Sequence, residues 1–182
     1  MTYTETFLKG CFVIQPNVFE DSRGYFFESF HLGEFKQQTG RDISFVQDNQ
    51  SLSSYGVVRG LHCQKGEFAQ AKLVRALKGR IIDIAVDARR DSPTFGQSFA
   101  IELNDQNKKQ LFIPEGFLHG FSVLSEKAIV FYKCNNFYDK ASEDGVNPLD
   151  AGLNIDWQLP AEQIILSEKD KNAQAFKDFK AF

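Results

Sequence analysis

Apolar and polar positions along this chain alternate with a period of two rather than 3.6. The segments CFVIQPNVF, GYFFESF, ISFVQ, AKLVRAL, RIIDIAVDA, SFAIEL, QLFIP, GFSVL and AIVFYKC are short and rich in β-branched and aromatic residues. Each predicts a β-strand. Turn-forming stretches separate them, most plainly LKGR at 77–80, LNDQNKK at 103–109 and IPEG at 113–116. Their spacing is that of sandwiches and barrels. Helical pattern is confined to a piece around LGEFKQQTG and to the C-terminal stretch SEKDKNAQAFKDF, which Ser167 is placed to cap. Neither internal repeats nor a low-complexity linker interrupt the pattern. The expectation is an all-β, single-domain chain over residues 1–182. It forms a β-sandwich or jelly roll, with short helices near the N-terminal third and the C-terminus.

Composition narrows the function classes. A chain of 182 residues is long enough to enclose a core and a ligand cleft. Its 19 phenylalanines, against five tyrosines and one tryptophan, supply flat apolar side chains for such a core. With a net charge of −3, broad attraction for nucleic acid or anionic membrane is not expected, and any anion site must be local. No apolar run is long enough to cross a bilayer, and the start MTYTETFLKG lacks a secretion pattern, so a cytoplasmic protein is expected. Cys11, Cys63 and Cys134 are odd in number, widely spaced and without a CxxC pair. They read as reduced, buried thiols rather than a disulfide framework or zinc site.

Ionisable residues inside predicted strands carry the chemical signal. GVVRGLHCQ, residues 56–64, sets Arg59 and His62 within an otherwise apolar strand, where polar groups without partners are costly. Alternation puts Asp83 and Asp87 on one face of RIIDIAVDA. Asp87, near the strand end, reads as water-facing; Asp83 lies between isoleucines and needs a partner, most naturally a histidine. Of three histidines, His31 in ESFHLGEF reads as a surface residue, while His62 and His119 sit among apolar neighbours beside glycines. Taken singly, each fits a structural hydrogen bond. Together with Lys72, Asp83 and Tyr132 they point to a site lining the sandwich interior. A metal site is not expected, because no HxH pair occurs and His62 and Cys63 point to opposite faces of one strand.

At this point several blocks coincide with a known family. FVQDNQS, VVRGLHCQ, AKLVRALKGRIIDIAVD, SPTFG, LFIPEGFLHGF, the YK of FYKC and LSEKD, in that order and spacing, resemble the dTDP-4-dehydrorhamnose 3,5-epimerases. The likeness runs from FEDSRGYFFESF, near residue 19, to Asp170. It implies a cupin-type jelly roll, a homodimer with strands exchanged between subunits, and catalysis without metal or organic cofactor. The implied substrate is dTDP-4-keto-6-deoxy-D-glucose, inverted at C3 and C5 on the route to dTDP-L-rhamnose. Nucleic acid and membrane are not implied partners.

Both carbons flank the C4 ketone, so removing either proton gives an enolate with its charge on O4. By resemblance, His62 is the base, Asp170 its carboxylate partner, Lys72 the cation facing the enolate and Tyr132 the acid on the opposite ring face. His119 with Asp83 reads as a second pair near the sugar. Arg23, Arg59 and Lys169 match positions that contact the nucleotide sugar; Glu28, Gln47, Asn49 and Glu143 resemble further contacts, and Tyr138 resembles the ring that stacks on thymine. Three departures from simple expectation stand out. Arg59 and His62, three apart, point to opposite faces of a regular strand unless Gly60 permits a bulge. Cys63 stands where an aromatic residue is expected and is read as packing. Leu118 is larger than the expected alanine and narrows the pocket. A relative inverting only C3 or only C5, and a non-catalytic nucleotide-sugar-binding jelly roll, are the alternative readings.

Overall fold

A computed structural model describes residues 1–182. Strands β1 (Thr2–Glu5), β2 (Phe12–Gln15), β3 (Phe19–Asp21) and β4 (Gly24–Phe26) precede helix α1 (Leu32–Thr39). Strands β5 (Gln47–Ser54), β6 (Val58–Gln64), β7 (Lys72–Lys78), β8 (Arg80–Asp87) and β9 (Ser98–Asn104) follow. The chain continues through β10 (Gln110–Ile113), β11 (Phe117–Val123), β12 (Lys127–Cys134) and β13 (Glu143–Gly145) to the one-turn helix α2 (Glu168–Lys171). Two antiparallel sheets face each other as a jelly-roll sandwich, one ordered β1-β2-β10-β7-β12-β5 and the other β13-β6-β11-β8-β9. Strands β3 and β4 form a separate hairpin.

Alternation explains the layering. Val74, Leu111 and Val130 from the six-stranded sheet pack against Ile81, Leu103, Phe117 and Phe121 from the five-stranded one. The outer face of the first sheet is partly covered by α1, whose Phe35 sits edge-on to Phe112 at 4.9 Å. The outer face of the second is covered by the C-terminal stretch, with Leu153, Trp157 and Phe179 packed on Leu61, Ile82, Ile84 and Leu118. Strands β8 and β11 are thus buried on both faces. Apolar burial of this kind is the main force holding the two sheets together.

The reading of Asp87 is corrected: it shares the inner row of β8 with Ile81 and Ala85, which face the other sheet, and is fully buried rather than water-facing. Its carboxylate accepts bonds from Arg89 Nε and Nη2, Ser92 Oγ and Thr94 Oγ1 at 2.5–2.9 Å, organising the SPTFG turn. Burial pushes its pKa up, but these bonds outweigh it and hold the group at about 2. Leu118 is corrected likewise: it packs in the outer cluster and lines no cleft.

Several element boundaries also differ from expectation. ISFVQ contributes only Gln47 to a strand; Ile43 and Phe45 pack against the α1 cluster instead. The strand that follows, QDNQSLSS, is polar, as is TYTE of β1, and neither carries an apolar alternation to reveal it. GYFFESF yields only the three residues of β4. At the tail, Ser167 does cap a helix, its side chain accepting the N–H of Asp170, but the helix stops at Lys171. Beyond it the backbone bridges Gln174 to Val146 and delivers Phe176 and Phe179 to the core, contacts that a continued helix would forgo. His31 is exposed, as expected, and accepts the N–H of Glu34 as the N-cap of α1.

Candidate active site

Polar residues on the inward-facing rows of both sheets line a cleft of about 540 Å³, a size suited to a small ligand. Asn49 and Ser51 come from β5, Lys72 from β7 and Tyr132 from β12; facing them are Arg59 and His62 from β6 and His119 from β11. The tail supplies Ser167, Lys169 and Asp170. His62 and Tyr132 therefore stand on opposite walls.

Each histidine of the cleft, half-exposed His62 and buried His119, has a carboxylate. His62 Nε2 lies 2.6 Å from Asp170 Oδ1, and His119 Nε2 lies 2.8 Å from Asp83 Oδ1. With Nε2 donating to the carboxylate, His62 keeps the lone pair of Nδ1 for chemistry. Burial raises the Asp170 pKa, but the bond and charge of His62, with the Ser167 hydroxyl and Lys169, bring it below the ordinary value. Burial lowers Lys72, and burial, reinforced by Cys134 and Glu143 against the opposing Arg59, raises Tyr132. The Tyr132 ring meets His119 edge-on at 6.4 Å. No three His, Cys, Asp or Glu side chains converge as a metal site.

Arg59 and His62 share the cleft because the strand bulges between them. His62 pairs with His119 and Arg59 with Phe121, so three steps on β6 match two on β11. Gly60 makes this possible, with φ 118° and no room for a side chain: a Cβ there would lie 2.6 Å from both Gly120 Cα and His119 O. Arg59 is held by Ser53 Oγ at 3.0 Å from its Nε. Cys63 faces the other way, into the outer cluster, where burial pushes its thiol up to about 12.

Further expected residues gather at the rim. Glu143 Oε2 accepts the Tyr138 hydroxyl at 3.1 Å and pairs with Lys169 Nζ at 2.6 Å. Gln47 Nε2 donates to Asn49 Oδ1 at 3.0 Å, and Asn49 Nδ2 to Cys134 Sγ at 3.6 Å. Arg23 and Glu28 are not brought to the cleft. Both are exposed, and Arg23, in the β3–β4 turn, pairs with Asp21 at 2.5 Å. Conversely, Ser51 lines the cleft without having been anticipated, as does Ser167, noticed only as a cap. Extending the alternation from Gln47 and Asn49 along the polar strand points to Ser51.

The profile of the family described as dTDP-4-dehydrorhamnose 3,5-epimerase matches residues 5–178. A relative of that name from Shigella flexneri is 48% identical over 178 residues, covering 98% of this chain and 97% of its own. The crystal structure of a dTDP-4-dehydrorhamnose 3,5-epimerase from Elizabethkingia anophelis is 55% identical, with a TM-score of 0.96 over 100% of this chain and 99% of that one. A structure of dTDP-6-deoxy-D-glucose-3,5-epimerase from Legionella pneumophila, in complex with dTDP-4-keto-L-rhamnose, is 43% identical, with a TM-score of 0.94 over 98% and 94%. The likeness thus spans fold, sequence and nearly the whole length: the chain belongs to the dTDP-4-dehydrorhamnose 3,5-epimerase family.

Proposed function

We propose that this protein is an isomerase that inverts C3 and C5 of dTDP-4-keto-6-deoxy-D-glucose to give dTDP-4-keto-L-rhamnose. The observation that carries the reading is a histidine–carboxylate pair facing a half-buried tyrosine across one cleft, in a member of this family. His62 Nδ1 takes the proton from C3 or C5, and the bonding pair moves toward O4. Asp170 stabilises the imidazolium and fixes its ring. The Lys72 ammonium faces the developing charge on O4, where a fixed cation out of bulk water is most effective. Tyr132 then gives its proton to the same carbon from the other face, which inverts it. Imidazolium and tyrosinate return to their starting states through solvent before the second carbon reacts. His119, oriented by Asp83, assists at the sugar hydroxyls.

Arg59 and Lys169 take the diphosphate, Gln47, Asn49 and Glu143 make polar contacts, and the exposed Tyr138 ring stacks on thymine. The protein acts as a homodimer. Supporting this is the β3–β4 hairpin, which lies outside both sheets and exposes Phe19, Tyr25 and Phe26 together with Arg23. In the dimer, the hairpin of one protomer reaches the cleft of its partner and adds Arg23 and Glu28 to it. The three free, buried cysteines suit the reducing cytoplasm, where we expect the enzyme to work.

The test is proton NMR of the substrate in deuterated water, with the C3 and C5 signals followed separately. Exchange at both carbons is expected. Exchange at one carbon marks a single-site epimerase, and nucleotide binding without exchange a binding module.

A further inference from the structure

Gln64 ends β6, two residues beyond His62, and the reaction above makes no use of it. Its side chain is 4% exposed and bonded on every side. Nε2 donates to Phe68 O at 2.8 Å and to Phe137 O at 3.0 Å, while Oε1 accepts the N–H of Asp139 at 2.7 Å. The amide therefore grips the backbone immediately before and immediately after Tyr138. Tyr138's own N–H goes to Gln47 Oε1 at 2.9 Å. The cross-strand partner of Gln64 is Glu143, the acceptor of the Tyr138 hydroxyl. Two further amides stitch the same segments, Gln70 Nε2 to Asn136 O and Asn136 Nδ2 to Glu67 O, each at 2.7 Å.

These bonds matter because the Tyr138 ring is 54% exposed, so packing contributes little to its placement. An exposed ring held in advance loses less freedom when a flat ligand stacks on it. Glutamine suits the task, since a neutral amide offers two donors and an acceptor on one flexible stem. Glutamate would turn a carboxylate toward two carbonyls, and methionine would fill the volume with none of the bonds.

We infer that Gln64 is a positioning residue for the nucleotide base, holding the 137–139 loop so that Tyr138 presents its ring to the stacked heterocycle. The inference rests on the stacking role proposed for Tyr138. It also makes β6 serve both ends of the substrate, with His62 at the sugar and Gln64 behind the base.

Calorimetric titration of the intact protein with dTDP, and separately with inorganic pyrophosphate, tests it on Gln64→Met, Tyr138→Ala and the double variant. Gln64→Met is expected to weaken dTDP binding about tenfold, a loss of the size typical of one base stack, and to leave pyrophosphate binding unchanged. Its KM should rise while kcat and the pH profile of exchange stay as in the parent. The double variant should bind dTDP no more weakly than Tyr138→Ala, because the two act through one ring. If Tyr138→Ala weakens dTDP binding and Gln64→Met does not, the assignment of Gln64 alone is overturned. If Tyr138→Ala has no effect, the stacking role fails and the Gln64 assignment with it. A lower kcat or a shifted pH profile in Gln64→Met, with dTDP binding intact, overturns the inference by tying Gln64 to His62 instead. Should Gln64→Met not fold, Gln70→Ala removes an outer stitch and should show the same preference for dTDP over pyrophosphate; dTDP binding equal to the parent's overturns the inference.

Discussion

Single side chains in this protein are governed by what lies behind them as much as by the strand they sit on. Asp83 was legible because a carboxylate between isoleucines demands a partner, and His119 meets it. Asp87 misled because alternation groups it with Ile81, Asp83 and Ala85 without revealing that this row faces the other sheet along its whole length, strand end included. Its depressed pKa has a stability consequence with a definite sign. A carboxylate held at about 2 against an ordinary 3.8 stabilises the fold fully above pH 3.8 and loses that contribution as pH falls toward 2. Asp87→Asn should therefore destabilise the protein by about 2 kcal/mol at neutral pH, read by denaturant unfolding, and the difference from the parent should shrink toward pH 2. Lys72 gives a prediction on the opposite limb. Burial favours its neutral form, so on raising the pH the cation facing O4 gives up its proton earlier than an ordinary lysine does, whereas Tyr132, raised chiefly by burial, holds its proton longer than an ordinary tyrosine. Exchange in deuterated buffer should decline on the alkaline side at a lower pH than an ordinary lysine would give, and Lys72→Gln should be slow at every pH.

At the level of elements, the apolar strands could be read because one or both faces are buried. QDNQSLSS could not, since its inward row of Gln47, Asn49, Ser51 and Ser53 is polar throughout, with Asn49 and Ser51 lining the cleft and Ser53 bonded to Arg59, and carries no apolar signal. The bulge in β6 lay between the two cases: the mismatch of Arg59 and His62 required it, and Gly60 allowed it. Gly60→Ala should cost about 1–3 kcal/mol of stability from its left-handed backbone, and more from the clash with Gly120. In protein that still folds, the exchange rate should fall at least tenfold, because small misplacements of reacting groups are expensive. A parent-like rate together with a parent-like melting temperature would show that the strand can pass this point without the glycine.

For the whole molecule, the sandwich follows from the strand count and the aromatic supply, while the hairpin does not announce its destination. Phe19, Tyr25 and Phe26 resemble core residues in sequence, yet they stand exposed in a two-stranded sheet. A proposed exchange of hairpins is open to a mixing experiment. His62→Asn and Arg23→Ala variants, each weak alone, should regain about a quarter of parental activity after co-refolding in equal amounts, since half the dimers are mixed and each has one intact cleft. No gain on mixing, with mixed dimers demonstrated by mass, would mean that Arg23 serves its own chain.

The pairing of His62 with Asp170 joins residues 108 positions apart. On the ribosome, the strand bearing the histidine emerges long before the carboxylate has been translated. A nascent chain thus carries an unassisted imidazole through most of its synthesis, and enolisation of a reactive ketosugar begins only after the tail closes over β6.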